Sequence, residues 1–156
     1  MKRVGGFIVA LILTYIVGAF FISQGNLASI NAILSSSSDI EVSITLADRF
    51  NTFIHDLRGL APLYLIIISI GFLIAFLVTG LIVKYLPQHR LVLYTLAGFA
   101  AILTIHILIK STTGVTGIAA TRSGTGLFLQ GFAGALGGYL FHLISAPKTS
   151  EPRATV

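Results

Sequence analysis

The chain contains no cysteine. Disulfides, thiolate metal ligands and thiol chemistry are therefore excluded, and cysteine usage says nothing about compartment. Charge is also scarce. Only 10% of the 156 residues are Asp, Glu, Lys or Arg, against about 25% in an ordinary soluble domain. The acidic residues are Asp39, Glu41, Asp48, Asp56 and Glu151, and none falls within the long apolar runs. A catalytic carboxylate pair inside those runs is thereby ruled out. No His or carboxylate pair has the His-x-x-x-His or Glu-x-x-His spacing of a helical metal site. There is no Gly-x-Ser-x-Gly nucleophile elbow. Thr121-Arg-Ser-Gly-Thr-Gly126 lacks the Gly-Lys-Ser/Thr ending of a phosphate loop. No solenoid-length repeat occurs, and the two halves show no inverted repeat of the transporter kind.

What the chain has instead is apolar length. Hydrophobic residues make up 55% of it and the mean hydropathy is +0.96. Four runs stand out, at about 4–22, 61–86, 91–109 and 127–145, and the sole charge inside them is Lys84, near the end of the second. A membrane-crossing helix needs ~20 mostly apolar residues to span a hydrocarbon core ~30 Å thick. The expected fold class is therefore an all-α membrane protein, a four-transmembrane-helix bundle forming one domain over residues 1–147. Met1-Lys2-Arg3 followed by Val4–Ile22 resembles a signal peptide, but the run exceeds the ~7–15 residues of a signal core. It also ends Phe20-Phe21-Ile22-Ser23-Gln24, a poor cleavage site. It reads as an uncleaved anchor and the first span.

The net charge of +5 raises nucleic acid as a partner. The basic residues are scattered without a basic face, so that partner is rejected and membrane lipid is expected in its place. With the N-terminus inside, Lys2, Arg3, Lys84, Arg90, Lys148 and Arg153 lie on the cytoplasmic side. Arg49, Arg58, Lys110 and Arg122 lie opposite. This bias favours N-in, C-in. Short loops, small size and the uncleaved N-terminal anchor point to a bacterial inner membrane, with an organellar membrane as the alternative.

The first external loop, about Ser23–Gly59, carries four of the five acids and a flexible Ser35–Ser38 link. Within it, residues 45–58 have helical periodicity. Leu46, Phe50, Phe53, Ile54 and Leu57 form one apolar stripe with polar residues opposite. Thr45-Leu-Ala-Asp48 fits a helix-capping pattern. An additional external amphipathic helix is expected there, lying in the membrane interface or against the bundle. Gly59 is expected to break it, with Pro62 in the first turn of the second span. Pro87 and Pro147 are expected to end the second and fourth spans. The Gly/Thr-rich stretch Ser111–Gly126 reads as a loop or re-entrant turn, and 148–156 as a disordered tail.

Small residues mark packing faces. Gly131, Gly134, Ala135 and Gly138 share one face of the fourth span, and Gly134 and Gly138 form a small-xxx-small pair. Gly71, Ala75 and Thr79 give a similar stripe on the second span, and Gly98 with Ala101 a shorter one on the third. Intramolecular packing accounts for these; a homo-oligomer or larger membrane complex is the alternative.

Candidate ligand-binding residues are His55, Asp56 and Arg58 beside the second span, with His106, Lys110 and Arg122 as external neighbours. Together they would form a cationic pocket at the outer surface. Plain interfacial anchoring explains them as well. His142 and Gln130 are the remaining polar groups within spans; Gln130 is placed to bond across helices. No residue pattern identifies a cofactor. The reading with most support is a non-enzymatic accessory or scaffold subunit packing through small-residue faces. An oligomeric channel or transporter for a small solute, an anion among the candidates, is the second. An enzyme acting on a lipid or quinone at the outer face, with His55 and Asp56 as acid–base groups, is the third.

Overall fold

Inside a bilayer, backbone N–H and C=O groups find no water, so runs this apolar fold as helices that satisfy their own hydrogen bonds. The computed structural model describes residues 2–37, 44–114, 121 and 123–146. Four helices follow in chain order: α1 (Lys2–Ser37), α2 (Leu46–Ile82), α3 (Arg90–Thr113) and α4 (Gly124–Ser145). A short 3-10 turn at Pro87–His89 precedes α3. Each helix is long and apolar enough to cross a membrane. The chain is an all-α, four-helix integral membrane protein. Neighbours pack in the order α1, α2, α3, α4, with α4 closing back on α1.

The helices differ in length, and this shapes the molecule. At 1.5 Å per residue, α3 and α4 are about 36 and 33 Å long, close to the hydrocarbon thickness. By the same rise α1 and α2 are each about 55 Å long and overshoot it. Gly6 near the start of α1 lies against Ile144 near the end of α4. The excess of α1 therefore emerges at its C-terminal end. Gly80 near the end of α2 lies beside the Tyr94 hydroxyl at the start of α3, so the excess of α2 emerges at its N-terminal end. Both project on one side as a helical hairpin, here the hairpin end of the bundle; the opposite end holds Lys2 and Ser145.

Several expected boundaries are corrected. Residues 45–58 do not form a separate helix. They are the first turns of α2, which continues through Gly59 and Pro62 without a break. Gly in a helix costs only about 1 kcal/mol relative to Ala. Pro62 removes one hydrogen bond, leaving the carbonyl of exposed Arg58 for solvent. Neither outweighs the packing of the flanking turns. Ser35–Ser37 is not a link but the last turn of α1. The second span stops at Ile82, ahead of Pro87, and Ser111–Thr113 extend α3. Gly114 then caps α3 in the left-handed conformation at φ 67°, which glycine adopts without a side-chain clash. Asp39, Glu41, Arg122, Pro147 and the tail lie outside the described residues.

The start of α2 is capped as its sequence suggests. The Thr45 hydroxyl accepts from the Asp48 amide at 3.2 Å, and the Thr45 amide donates to the Asp48 carboxylate at 2.9 Å. These bonds satisfy donors that a helix start otherwise leaves open.

The bundle interior is divided by chemistry. Towards the terminal end, Phe72, Phe76, Tyr94 and Phe141 form an aromatic cluster. Phe76 stacks on Phe141 at 4.5 Å and Phe72 meets Phe76 at 4.8 Å. Along α4 the contacts are with backbone instead. A β-carbon on Gly98 would overlap the Gly134 carbonyl, one on Gly134 the Gly98 carbonyl, and one on Gly138 the Tyr94 carbonyl. One on Gly131 would lie 2.7 Å from Phe99, and one on Gly71 2.6 Å from Ile105. With no hydrophobic drive between helices in lipid, close backbone approach supplies dispersion contact in its place. Ala135 is half-buried on α4, whereas Gly137 is buried and receives the Thr14 hydroxyl. The matching face of α1 is Gly6, Ala10, Thr14 and Gly18, all buried at a four-residue period.

Candidate functional site

Three places gather the polar and small residues. The first is a buried knot. Gln130 is fully buried on α4, accepts from the Tyr64 hydroxyl of α2 at 2.9 Å, and donates to the Gly18 carbonyl of α1 at 3.0 Å. Thr14 of α1 donates to the Ala133 carbonyl at 3.3 Å. A buried amide without partners would be costly in lipid, so these bonds fix the register of three helices at once. The Tyr15 hydroxyl adds a bond to the Leu57 carbonyl, tying α1 to α2 where the hairpin leaves the bundle.

The second place is a cavity of about 330 Å³ at the hairpin ends of α3 and α4, lined by His106, Lys110, Thr121, Ser123, Gly124 and Leu127 among others. His106 is 7% exposed, and its Nε2 is buried without a hydrogen-bond partner among the described residues. Its ring sits 6.1 Å from that of Tyr64, so the cavity borders the Gln130 knot. Ser123 caps α4 by accepting from the Gly126 amide at 3.0 Å.

The third place is a groove between α2 and α3, about 590 Å³, open along the lipid-facing side. Small residues line half of it: Gly71, Ala75 and Thr79 from α2, with Ala97, Ala100, Ala101 and Thr104 from α3. Ile67, Ile70, Ile74, Val78, Ile105, Leu108 and Ile109 line the rest. Thr79 lines its lower end and is 5% exposed.

The candidate cationic residues are not gathered into one pocket. His55 and Arg58 line a separate surface hollow on α2, with Phe50, Asn51, Ile54 and Gly59. His106 and Lys110 line the α3–α4 cavity. Arg122 lies outside the described residues. His55 is 88% exposed and stands 3.7 Å from Asp56, a distance at which exposed partners are weakly coupled. Asp56 is mostly buried, and its Oδ2 has no hydrogen-bond partner among the described residues.

The upper part of the expected apolar stripe is bare. Leu46 and Phe50 are 83% and 63% exposed, whereas Phe53 meets Phe20 at 5.9 Å. Arg49 donates to the Gln24 side chain at 2.6 Å across the hairpin.

At the opposite end, Arg90 donates to the Ser145 carbonyl and hydroxyl at 2.8 and 2.9 Å and lies over the Tyr94 ring at 5.6 Å. A cation there meets the unsatisfied carbonyls of the α4 C-terminus.

Sequence reasoning did not single out the α1 face, although Gly6-x-x-x-Ala10-x-x-x-Thr14-x-x-x-Gly18 is visible in the residues. It also gave no sign of Tyr64 as the partner of Gln130. Comparison with family models, curated proteins and solved structures finds no match to this chain.

Proposed function

We propose that the chain is a non-enzymatic scaffold subunit that assembles with copies of itself in the bilayer. The observation that carries this reading is the open α2–α3 groove, half of whose lining is Gly, Ala and Thr. The proposed occupant is α1 of a second copy. Val4, Ile8, Ile12, Ile16 and Phe20 are all 41–65% exposed and follow one another at four-residue intervals. They form a single projecting ridge, and i±4 ridges seat in grooves between side chains. Ridge and groove lie on different sides of the bundle, so the contact is head-to-tail and closes as a ring when the rotation permits. Rotation about the membrane normal keeps each residue at its depth. Thr14 bonds to Ala133 and Gly98 abuts Gly134, which sets Ile16 level with Ala100.

The reading also takes the hairpin end as the outer side and the termini as inside, following the basic residues at Lys2, Arg3, Lys84 and Arg90. A bacterial inner membrane is the proposed location.

The native chain has no cysteine, so cross-linking has a clean background. One chain carrying Ile16→Cys and another carrying Ala100→Cys are co-expressed and oxidised in membranes. A cross-linked pair is expected. Ala100→Leu with Thr104→Leu should fill the groove and leave a monomer in native mass spectrometry from nanodiscs, with the thermal unfolding temperature unchanged. No cross-link, a persistently monomeric native protein, or an unrelated protein or lipid held in the groove sinks the proposal.

A further inference from the structure

We propose that the groove between α1 and α2 in the hairpin holds an acyl chain of a phospholipid drawn up from the adjoining leaflet, with its phosphate at Arg49. This site is distinct from the α2–α3 groove and does not rest on assembly.

The groove has a volume of about 650 Å³, within the range of ligand sites. Phe20 of α1 and Phe53 of α2 meet at 5.9 Å and form its bundle end. Leu46, Ala47 and Phe50 continue the apolar wall along α2 towards the hairpin tip. This wall stands beyond ordinary lipid. By its rise α2 is about 55 Å long against a hydrocarbon core of about 30 Å, and the excess emerges at its N-terminal end. Leu46 and Phe50 lie in that excess and are 83% and 63% exposed. Asp48, on the same turns, is fully exposed. Apolar surface left bare on the water side of a membrane protein marks a binding surface.

Continuity and charge select the occupant. Phe20 is the last of the exposed row Val4, Ile8, Ile12, Ile16 and Phe20, on a helix long and apolar enough to cross the membrane. The groove therefore opens at its bundle end onto the depth of the hydrocarbon, and a chain enters it without crossing water. Seating of the row in a second copy does not compete, because the row ends at Phe20 and the groove rises from there. Arg49 lines the groove beside the apolar wall, and its Nη1 donates to the Gln24 side chain of α1 at 2.6 Å. That bond holds the guanidinium across the two helices. A guanidinium matches phosphate oxygens in geometry as well as charge. A phospholipid is the bilayer component that carries an apolar chain and a phosphate together.

The test uses the full-length protein in proteoliposomes that contain phosphatidylglycerol with a photoreactive diazirine at the end of one acyl chain. In an ordinary leaflet that chain end lies near the bilayer midplane, far from the hairpin. After photolysis, label is expected on residues 46–53, located by peptide fragmentation. Ala47→Trp fills the groove and Phe50→Ser strips its wall, and each should lower that label about tenfold. Both side chains are exposed, so the thermal unfolding temperature and the label on residues 61–82 should stay unchanged. The same chain on a diacylglycerol, which has no phosphate, should label 46–53 severalfold less, and Arg49→Gln should remove that difference. No label on 46–53, label undiminished in Ala47→Trp and Phe50→Ser, or equal labelling by the diacylglycerol overturns the proposal. So does an efficient disulfide between Phe50→Cys copies in native membranes, which would mean that a second hairpin fills the groove.

Discussion

Gly98 and Gly134 face each other across α3 and α4 so closely that a β-carbon on either would overlap the backbone carbonyl of the other. No side-chain rotation can relieve such an overlap, because both partners are main chain. Gly134→Leu is therefore expected to separate the two helices and to destabilise the bundle by about 3 kcal/mol or more, at the upper end of overpacking costs. Gly98→Ala should cost less but act in the same direction. Unfolding in mixed micelles of increasing denaturing detergent measures both. Unaltered stability in Gly134→Leu would contradict the described contact.

Gln130 joins α1, α2 and α4 through its two bonds to Gly18 and Tyr64. Gln130→Leu keeps similar bulk but strands the Tyr64 hydroxyl. A loss of about 1 kcal/mol is expected, the ordinary size for hydrogen bonds between membrane helices. The double variant Gln130→Leu with Tyr64→Phe should recover part of it, since no polar group is then left alone. A double-mutant cycle in the same unfolding assay gives the coupling.

Asp48 accepts from the side chain and backbone of Thr45, and these bonds hold its carboxyl below the ordinary value. The site is fully exposed and stands outside the apolar span. A carboxylate with a depressed folded-state pKa contributes stability that is present above its unfolded pKa. That contribution is lost as pH falls through the lowered value. The first turn of α2 should accordingly fray only in strong acid. The Thr45 and Asp48 amide NMR signals should titrate with a midpoint below that of an unstructured Asp, and Thr45→Ala should move the Asp48 midpoint upward. A midpoint indifferent to Thr45→Ala would discount the cap.

Arg90 holds the last turn of α4 through Ser145. Arg90→Ala is expected to cost about 1.5–2 kcal/mol, at the low end of the range for hydrogen bonds involving a charged group. It should also raise the labelling rate of a reporter Ile144→Cys by aqueous maleimide. An unchanged labelling rate would indicate that the aromatic cluster alone fixes the end of α4.

The fourth helix is the part of the fold most legible in the residues. Gly131, Gly134 and Gly138 share one face of it, and each lies close against α3. The α1 face is equally regular but less conspicuous, since Thr14 and Ala10 stand where Gly stands in α4. In the sequence Gly59 and Pro62 point to a break, whereas α2 runs through both. Both are helix breakers by local preference, and only the packing of Phe53, Leu57 and Tyr64 against α1 overrides them. Nor does the sequence tell which polar residues share a cavity. His55 and Arg58 lie on α2, separate from the face His106 and Lys110 share, because helix rotation about the bundle axis is set by contacts across three other helices. Gln130 was legible as a cross-helix donor, but its partners were not, since Tyr64 and Gly18 are remote in sequence.

The continuity of α2 from Leu46 to Ile82 has a mechanical consequence. The exposed part of the hairpin is the free arm of a lever whose other arm lies inside the bilayer. The Tyr15–Leu57 bond sits where the two arms meet. Load on the water-side tip is carried by unbroken helix past this fulcrum to Tyr64, and from there through Gln130 into α4. Tyr64 is also the side chain whose ring lies 6.1 Å from His106, so the arm that carries Leu46 and Phe50 and the cavity wall share one residue.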